Sequence, residues 1–316
     1  MNNYFYITTP IYYVNDKPHI GHAYTTILAD VLTRYNRNIG RKTFFLTGLD
    51  EHGQKVQQAA EENGIDPQEH CNQMAPRFKE LWQKLHISND DFIRTTEDRH
   101  KKVVKDFLQI VMDNGDIYES EYEGLYSVSE ERFITEKEAE SGDFRDIKKL
   151  KEKNYFFKMS KYQDALISHI ESNPKFIQPE HRKNEILGFL RQPLNDLCIS
   201  RPKSRLNWGI ELPFDKDYVT YVWFDALINY ITAVGFNQGT KLFDSWWPVS
   251  YHLIGKDILT THAVYWPTML LSAGIKLPDS IFAHGWWLMG ESKMSKSLGN
   301  VINPMDLIDD YGVDPV

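Results

Sequence analysis

The sequence predicts an α/β fold whose parallel sheet is split by an insertion, and three observations lead to this prediction. Residues 1–114 alternate short, β-rich apolar segments with helical patterns, as parallel βαβ units do. The alternation stops over residues 115–214 and returns over residues 215–288. Two halves of one sheet on either side of an insertion indicate a doubly wound, Rossmann-like parallel sheet with an inserted α+β connective domain.

The first half of the sheet, residues 1–114, contains three predicted strands and four predicted helices. The strands are 4–9 (YFYITT), 43–48 (TFFLTG) and 91–96 (DFIRTT), and the helices are 19–38, 51–63, 67–85 and 98–113. Gly40 ends the first helix, since glycine readily adopts the left-handed conformation that closes helices. The last helix has an apolar stripe at helical spacing, formed by Val103, Val104, Phe107, Leu108 and Val111.

The insertion, residues 115–214, has no βαβ rhythm. It contains strand-like pieces, a basic run KKLKEK at 148–153 and two predicted helices at 160–172 and 180–191. The second half of the sheet is then predicted as helices 219–235 and 257–273 and strands 251–255 and 281–287. Residues 289–316 form a loop and the start of one more helix, where we expect the sequence to be truncated.

Composition excludes several classes of protein. A formal charge of −8 and a pI near 5.8 argue against a uniformly basic nucleic-acid wrapper, although a local basic patch could still hold RNA. No apolar run approaches the roughly 20 residues of a membrane span, and the N-terminus lacks a signal-peptide pattern, so we expect a cytoplasmic protein and no membrane contact. Cys71 and Cys198 are far apart and predict neither a disulfide nor a thiolate zinc site, but two small buried side chains.

The stretch PHIGHAYTT at 18–26 places His19, Gly21 and His22 at a predicted helix start after the first strand. A helix N-terminus has unpaired N–H groups and a partial positive charge, so this segment suits an anion such as phosphate. A metal site would need a further ligand, which is missing locally. For an isolated pair of histidines, simple packing would be the preferred interpretation.

A second polar motif, KMSKS at 293–297, lies in a loop with glycines on both sides. Lys293 and Lys296, three residues apart and next to two hydroxyls, could clamp a polyanion. Taken alone, such a loop is usually solvated surface.

Together the two motifs resemble the two signatures of class I aminoacyl-tRNA synthetases. Five segments, two of which contain these motifs, resemble the methionyl-tRNA synthetase family: 8–26, 46–57, 221–233, 253–267 and 282–297. The resemblance implies a ligase that activates methionine with ATP, taken with Mg²⁺ as substrate, to methionyl-adenylate and releases pyrophosphate. It then passes methionine to the 3′ end of tRNA(Met).

The resemblance also implies roles for individual residues. The catalytic residues would be His19, His22, Lys293 and Lys296, and ATP would additionally contact Gly21, Gly255, Asp257 and Trp287. The methionine side chain would lie among Ile11, Tyr13, Trp223, Ala226, Tyr230, Ile258, His262 and Trp266, with Asp50 on its ammonium group. Arg201 would approach the phosphates.

Residue spacing agrees with a methionine pocket. Trp223, Ala226 and Tyr230 recur at i, i+3 and i+7, and a second trio at 258, 262 and 266 recurs every four residues, so each trio occupies one helix face. Aromatic walls suit a thioether. Such periodicity usually indicates core stripes, which would be the preferred interpretation of both trios without the two signatures, and Asp50 could be a helix N-cap.

The sequence departs from many family members in the insertion. Ser127 and Glu130 stand where a CxxC zinc pair would be expected, so we predict no structural zinc. We expect the insertion to be too short for the editing domain of leucyl, isoleucyl and valyl relatives, and we expect this sequence to lack the helical anticodon-binding domain. The basic runs 99–105, 148–153 and 201–205 are candidates for contact with the tRNA acceptor stem. Oligomeric state is unknown, and two alternatives stay open: a non-catalytic methionine- or RNA-binding module, and a synthetase for another apolar amino acid.

Overall fold

The computed structural model describes residues 3–15, 17–127, 132–134, 136–140, 146–286, 288–289, 292–293 and 302–316. The strands are β1 (Tyr4–Tyr13), β2 (Lys42–Asp50), β3 (Asp91–Arg94), β4 (Ile117–Ser127), β5 (Arg132–Ile134), β6 (Ile147–Phe157), β7 (Ile177–Gln178), β8 (Leu197–Cys198), β9 (Ser200–Pro202), β10 (Tyr218–Thr220), β11 (Tyr251–Gly255), β12 (Ile281–His284), β13 (Leu288–Met289) and β14 (Ser292–Lys293). The α-helices are α1 (Ile20–Asn38), α2 (Gln54–Glu62), α3 (Pro67–Lys84), α4 (Asp98–Asp113), α5 (Glu136–Glu140), α6 (Gln163–Ser172), α7 (Glu180–Leu190), α8 (Val222–Ala226), α9 (Asn229–Thr232), α10 (Leu242–Trp246), α11 (Trp266–Ser272) and α12 (Pro304–Tyr311).

The main sheet has six strands in the order β3-β2-β1-β11-β12-β7, and every pair in it is parallel. The predicted α/β fold class is therefore confirmed. Connections run outward from β1 through β2 to β3 on one side, and from β11 to β12 on the other. The strand order thus reverses between β1 and β11, and ligands of open parallel sheets bind in the crevice outside the carboxyl ends at such a point.

Strand β1 continues to Tyr13, four residues beyond the predicted strand 4–9. Its register against β2 shifts between Thr8 and Ile11, which marks a bulge around Pro10. Proline has no N–H to donate to the ladder, so a bulge is one of the few places where a sheet tolerates it. After the bulge the pairing resumes, with Ile11 opposite Gly48 and Tyr13 opposite Asp50.

The inserted segment forms a second, antiparallel sheet in the order β5-β4-β6-β8. The basic run 148–153 lies in β6, and three of its lysines pair across the sheet with carboxylates of β4. These ion pairs are Lys149–Glu123, Lys151–Glu121 and Lys153–Glu119. The segment also supplies β7 to the edge of the main sheet, where Ile177 pairs with Ile281. Residues 115–214 therefore include one strand of the sheet that they were predicted to interrupt.

One large apolar cluster joins the main sheet to the inserted segment. It includes Phe107 of α4, Ile170 of α6, Phe224 of α8, Ile254 of β11 and Trp266 of α11. Cys71 and Cys198 are both buried thiols, as predicted. Among the helices in the described ranges, none is both long and apolar enough to cross a membrane.

Two predicted helices are less regular than expected. The segment 219–235 begins as strand β10 and then forms two short helices, because the side-chain amide of Asn229 donates to Ala226 O at 2.7 Å between them. The segment 257–273 starts as a 3₁₀ turn and contains a π-helical stretch, Thr261–Tyr265, before α11. Pro267 explains the widening, since it cannot donate the next α-helical hydrogen bond.

Candidate active site at the reversal of strand order

A small, partly open cavity lies at the carboxyl ends of β1 and β2. Its walls come from the bulged end of β1, the last residue of β2, the α8–α9 segment and the π-helical stretch. The lining residues are Pro10, Ile11, Asp50, Trp223, Ala226, Leu227, Tyr230 and His262. Six of the nine residues predicted for methionine are therefore brought together here.

His262 and Tyr230 form a polar pair at the cavity wall. The hydroxyl of Tyr230 and Nε2 of His262 are 2.7 Å apart, and Nδ1 of His262 is 3.0 Å from the carbonyl oxygen of Ile258. A carbonyl only accepts, so Nδ1 carries the ring proton and Nε2 accepts from the Tyr230 hydroxyl. Burial, opposed by the hydrogen bond to Ile258, lowers the pKa of His262 from 6.5 to about 4, which keeps the ring uncharged near neutral pH.

A second buried histidine supports this pair from behind. The indole Nε1 of Trp266, which can only donate, lies 3.2 Å from Nε2 of His252. The proton of His252 is therefore on Nδ1, 2.8 Å from the hydroxyl of Thr8. Burial lowers the pKa of His252 well below its usual value, and nearby His262 adds to the effect. Both imidazoles are therefore neutral.

The other three residues predicted for methionine lie outside the cavity lining. Trp266 is fully buried behind Tyr230, with ring centroids 6.0 Å apart. Ile258 contributes the carbonyl that orients His262, and Tyr13 packs under Lys55, whose Nζ is 5.8 Å from the ring centroid. Sequence reasoning missed two lining residues, Pro10 and Leu227. Each is next in the sequence to a residue predicted for the pocket. The sequence neighbours of predicted pocket residues are therefore the signal that could have found them.

Asp50 is the acidic member of the lining and is 5% exposed. It is the last residue of β2, while α2 begins at Gln54 with Gly53 as its N-cap. The alternative role of Asp50 as a helix N-cap is therefore wrong. In the strand register it lies opposite Tyr13.

At the start of α1 the two signature histidines form a reciprocal cap. Nδ1 of His19, the N-cap residue, accepts from the backbone N–H of Gly21 at 3.1 Å, and Nδ1 of His22 accepts from the N–H of His19 at 3.2 Å. The two rings stack with centroids 3.8 Å apart. Because each Nδ1 accepts, the proton of each neutral ring is on Nε2, which is a donor.

These contacts correct one sequence-based expectation. The backbone N–H groups at the helix start were expected to be unpaired, but that of Ile20 donates to Ile302 O at 3.1 Å and that of Gly21 to His19. A Cβ at position 21 would lie 2.9 Å from Cε1 of His19. Gly21 therefore leaves room for the ring of His19. The hydrogen-bond donors of this motif are the imidazole groups of the two histidines and not the backbone N–H groups of the helix start.

The ends of β11 and β12 approach the same helix start. His284, at the end of β12, places Nε2 2.8 Å from the hydroxyl of Thr25. Gly255 ends β11, and a Cβ there would lie 2.6 Å from Oδ1 of Asp257. The indole Nε1 of Trp286 donates to the same carboxylate oxygen at 3.3 Å. The predicted ATP residue Gly255 pairs with His284, which contacts α1, and Asp257 lies beside Gly255.

Four residues named in the sequence analysis lie wholly or partly outside the described residues. Trp287 and Lys296 lie outside the described residues, as does Glu130 of the expected zinc position, and only the backbone of Lys293 is described, in β14. Within the described part of the chain, no three His, Cys, Asp or Glu side chains are grouped as a metal site would require. The predicted lack of zinc stays a prediction.

Arg201 lies inside the protein near the inserted sheet. Its guanidinium carbon is 4.7 Å from the ring centroid of Tyr221 and 5.3 Å from that of Tyr126, and Nη1 donates to Ser200 O at 2.7 Å. Its proposed contact with phosphate is untested by these interactions.

The basic runs proposed for tRNA are largely paired within the protein. Besides the three lysines of β6, the pairs include Arg99 with Asp91, Lys102 with Asp106, Lys203 with Glu211 and Arg205 with Glu152. Intramolecular carboxylates thus neutralise much of the charge that an acceptor stem would meet there.

Comparison with known proteins identifies the family. A family model described as tRNA synthetases class I (M) matches residues 5–142 and 144–316. The chain belongs to the class I tRNA synthetases. A methionine–tRNA ligase of Fusobacterium nucleatum is 56% identical over 321 residues, which are 99% of this chain and 50% of that relative. One of Rickettsia bellii is 51% identical over 320 residues, which are 100% and 62%. This synthetase chain therefore spans less than two thirds of either relative.

Solved structures of the synthetase family agree with this assignment. Mycobacterium tuberculosis methionyl-tRNA synthetase in complex with methionyl-adenylate matches with a TM-score of 0.94 and 43% identity, over 98% of this chain and 62% of that one. The apo form of the same enzyme matches with a TM-score of 0.82 and 39% identity, over 98% and 60%. The identification of the methionyl family from its sequence segments is confirmed.

Proposed function

We propose that this chain is the part of a methionine–tRNA ligase that activates L-methionine with ATP. The observation that carries the proposal is the cavity in which Asp50, the Tyr230–His262 pair and Trp223 converge. A relative with methionyl-adenylate bound has the same fold at a TM-score of 0.94, which supports the same chemistry here. Membership of the methionyl family supports tRNA(Met) as the final acceptor.

The cavity suits the two ends of methionine. The buried carboxylate of Asp50 would pair with the ammonium group, and the side chain would extend between Trp223 and Tyr230. Aromatic contacts with a thioether contribute roughly 0.3–1.5 kcal/mol each. Since Nε2 of His262 already accepts from Tyr230, the pair offers sulfur an oriented, uncharged dipole that does not attract a charged competitor.

Activation requires in-line attack of the methionine carboxylate on the α-phosphorus of ATP, which breaks the bond to pyrophosphate. The carboxylate is already ionised, so catalysis consists of positioning and charge stabilisation. Nε2–H groups of His19 and His22 would donate to phosphate oxygens, while Lys293 and Lys296 would hold the departing pyrophosphate. Mg²⁺ would arrive with ATP as part of the substrate.

Transfer to tRNA would follow at the same carboxyl edge of the sheet. Because the basic runs considered above are mostly neutralised by neighbouring carboxylates, we infer that none of them alone provides the acceptor-stem contact. Arg201 remains a candidate for the phosphate region of the adenylate.

The proposal is tested by methionine-dependent exchange of pyrophosphate into ATP. Exchange with methionine and none with leucine, isoleucine or valine is expected; exchange with one of those instead would overturn the methionine assignment. If calorimetry detects binding of methionine but no exchange of pyrophosphate occurs, the chain is a methionine-binding module and not an activating enzyme.

The role of the signature histidines has its own variant pair. His22→Asn keeps an acceptor at the Nδ1 position for the His19 N–H but has no Nε2 donor. We expect stability to fall by only about 1 kcal/mol, from the lost ring contact with His19. Exchange should slow by roughly 100- to 1000-fold, as for loss of one preorganised donor. The same loss is expected for Lys296→Ala. An exchange rate near that of wild type in His22→Asn would remove the histidine from the phosphate site.

A further inference from the structure

A buried carboxylate between two histidines lies next to the cavity without lining it. Oδ2 of Asp225 is 2.7 Å from Nδ1 of His52, and Oδ1 is 2.6 Å from Nε2 of His100. All three side chains are nearly inaccessible, with exposures of 0%, 2% and 0% for Asp225, His52 and His100. Nδ1 of His100 lies 3.3 Å from the hydroxyl of Thr232 in α9.

The three residues come from separate elements that meet next to the proposed methionine site. Asp225 is in α8 between Trp223 and Ala226, and His52 follows Asp50 by two residues at the end of β2. His100 is on α4, which packs against α9, the helix of Tyr230. The carboxylate therefore joins the acidic wall of the cavity to its aromatic wall.

The ionised state of Asp225 determines which way the hydrogen bonds of this cluster run. Burial by itself raises the pKa of Asp225, but the attraction and hydrogen bonds of the two histidines outweigh it and lower the pKa to about 2. The carboxylate is therefore ionised and accepts on both oxygens, so Nδ1 of His52 and Nε2 of His100 must both donate. An amide in its place could accept from only one of them.

The stability of the fold gives little reason to bury a carboxylate between two histidines. Replacing a buried ion-paired cluster by apolar side chains of similar volume is often neutral or even stabilising. A buried polar cluster fixes one arrangement of the elements that meet at it, because each donor and acceptor must be satisfied.

We propose that Asp225 is a positioning residue for methionine, which holds α8 and α4 against the end of β2 so that Trp223 and Ala226 keep their place opposite Asp50. This role rests on the proposed function, since it concerns the affinity of the same cavity for methionine. Asp225 itself does not touch the substrate.

The test compares Asp225→Asn with Asp116→Asn. Asp116 is a matched control: it is 1% exposed and hydrogen bonded to Lys161, Tyr162 and Ser272, none of which lines the cavity. In pyrophosphate exchange, Asp225→Asn is expected to raise the KM for methionine about 10-fold or more, while the KM for ATP stays near wild type. Asp116→Asn is expected to lower the Tm and leave both KM values unchanged.

A second pair of variants covers the case in which Asp225→Asn does not fold. The side-chain nitrogen of asparagine occupies the place of Nδ1 in histidine, so His52→Asn retains the donor to Asp225 whereas His52→Leu removes it. His52→Leu is expected to raise the KM for methionine, whereas His52→Asn is expected to keep it near the wild-type value.

The outcomes separate the two proposals. A wild-type chain without methionine-dependent exchange contradicts the proposed function. Wild-type exchange combined with an unchanged KM for methionine in Asp225→Asn, or in His52→Leu, contradicts the positioning role alone.

Discussion

At the scale of single residues, four histidines near the site occur in two opposite tautomers. His19 and His22 accept at Nδ1, and His252 and His262 donate from it. The partner of one ring nitrogen decides which nitrogen carries the proton. The first pair therefore offers Nε2–H donors suited to an anion. Both rings of the second pair are uncharged, and His262 lines the cavity, where it suits an apolar side chain, while His252 lies behind it.

The buried His262 predicts how stability changes with pH. Its pKa is about 4 in the folded protein and 6.5 as a free imidazole, so between these values the unfolded chain binds more protons. The contribution of His262 to the free energy of unfolding should be complete above pH 6.5 and should decrease as the pH drops toward 4. For His262 alone we expect a loss of about 2 kcal/mol between pH 7 and pH 5, measured by urea unfolding.

His262→Asn provides the control for this effect. Asparagine can still donate to the carbonyl of Ile258 but does not titrate, so the variant should be less stable at pH 7 and lose less stability on acidification. His252 stays in the variant, where losing His262 removes only the smaller of the two causes of its lowered pKa, and Asp225 titrates at lower pH. Equal pH slopes for the two proteins would contradict a neutral, buried His262.

At the scale of elements, the site depends on how closely the central strands approach. Gly48 of β2 pairs with Ile11 of β1 and Ile93 of β3. A Cβ at position 48 would lie 2.1 Å from the carbonyl oxygen of Ile93. The glycine therefore lets β3 pack at normal spacing beside the strand that ends in Asp50.

Gly48→Ala should consequently destabilise the protein by about 3 kcal/mol or more, because backbone must move to relieve the overlap. Gly188→Ala is the matched control, since Gly188 is in α7 and a Cβ there meets no atom within 4 Å. Helix propensity predicts that this variant gains about 0.5–1 kcal/mol. Urea unfolding of both variants measures whether the free energy of unfolding falls or rises. An unchanged free energy of unfolding in Gly48→Ala would contradict the close approach of β2 and β3.

At the scale of the whole molecule, the inserted segment is tied to the sheet at several points. It contributes β7, shares the main apolar cluster, and buries Asp116 against Ser272 of α11. These contacts give the segment a means of keeping its orientation that does not depend on a metal ion.

We therefore predict that the folded protein carries no zinc. Ser127 and Glu130 cannot replace a pair of thiolates as zinc ligands. Elemental analysis of protein purified in metal-free buffer should find far less than one zinc per chain, with unchanged Tm after exposure to a chelator. One tightly held zinc per chain would contradict the prediction.

Most of the sheet could be predicted because apolar periodicity and glycine positions are local signals. The errors lie where distant contacts override them. Strand β1 passes through Pro10 by means of a bulge, the helix 219–235 is interrupted by the side chain of Asn229, and the helix 257–273 widens before Pro267. In the site, the signature motifs located the histidines, but their donors and acceptors could not be assigned from the sequence.

The sequence by itself determined the fold class, the family and most members of the cavity, since motifs and residue spacing are properties of the chain. Only the tertiary structure decided which groups meet across long separations, such as Tyr6 with Tyr230, 224 residues apart, and His52 with Asp225, 173 residues apart. It also decided that the lysines of β6 face glutamates instead of solvent alone. The reason is physical: burial and hydrogen-bond direction set charge and tautomer, and both depend on neighbours that the order of residues does not reveal.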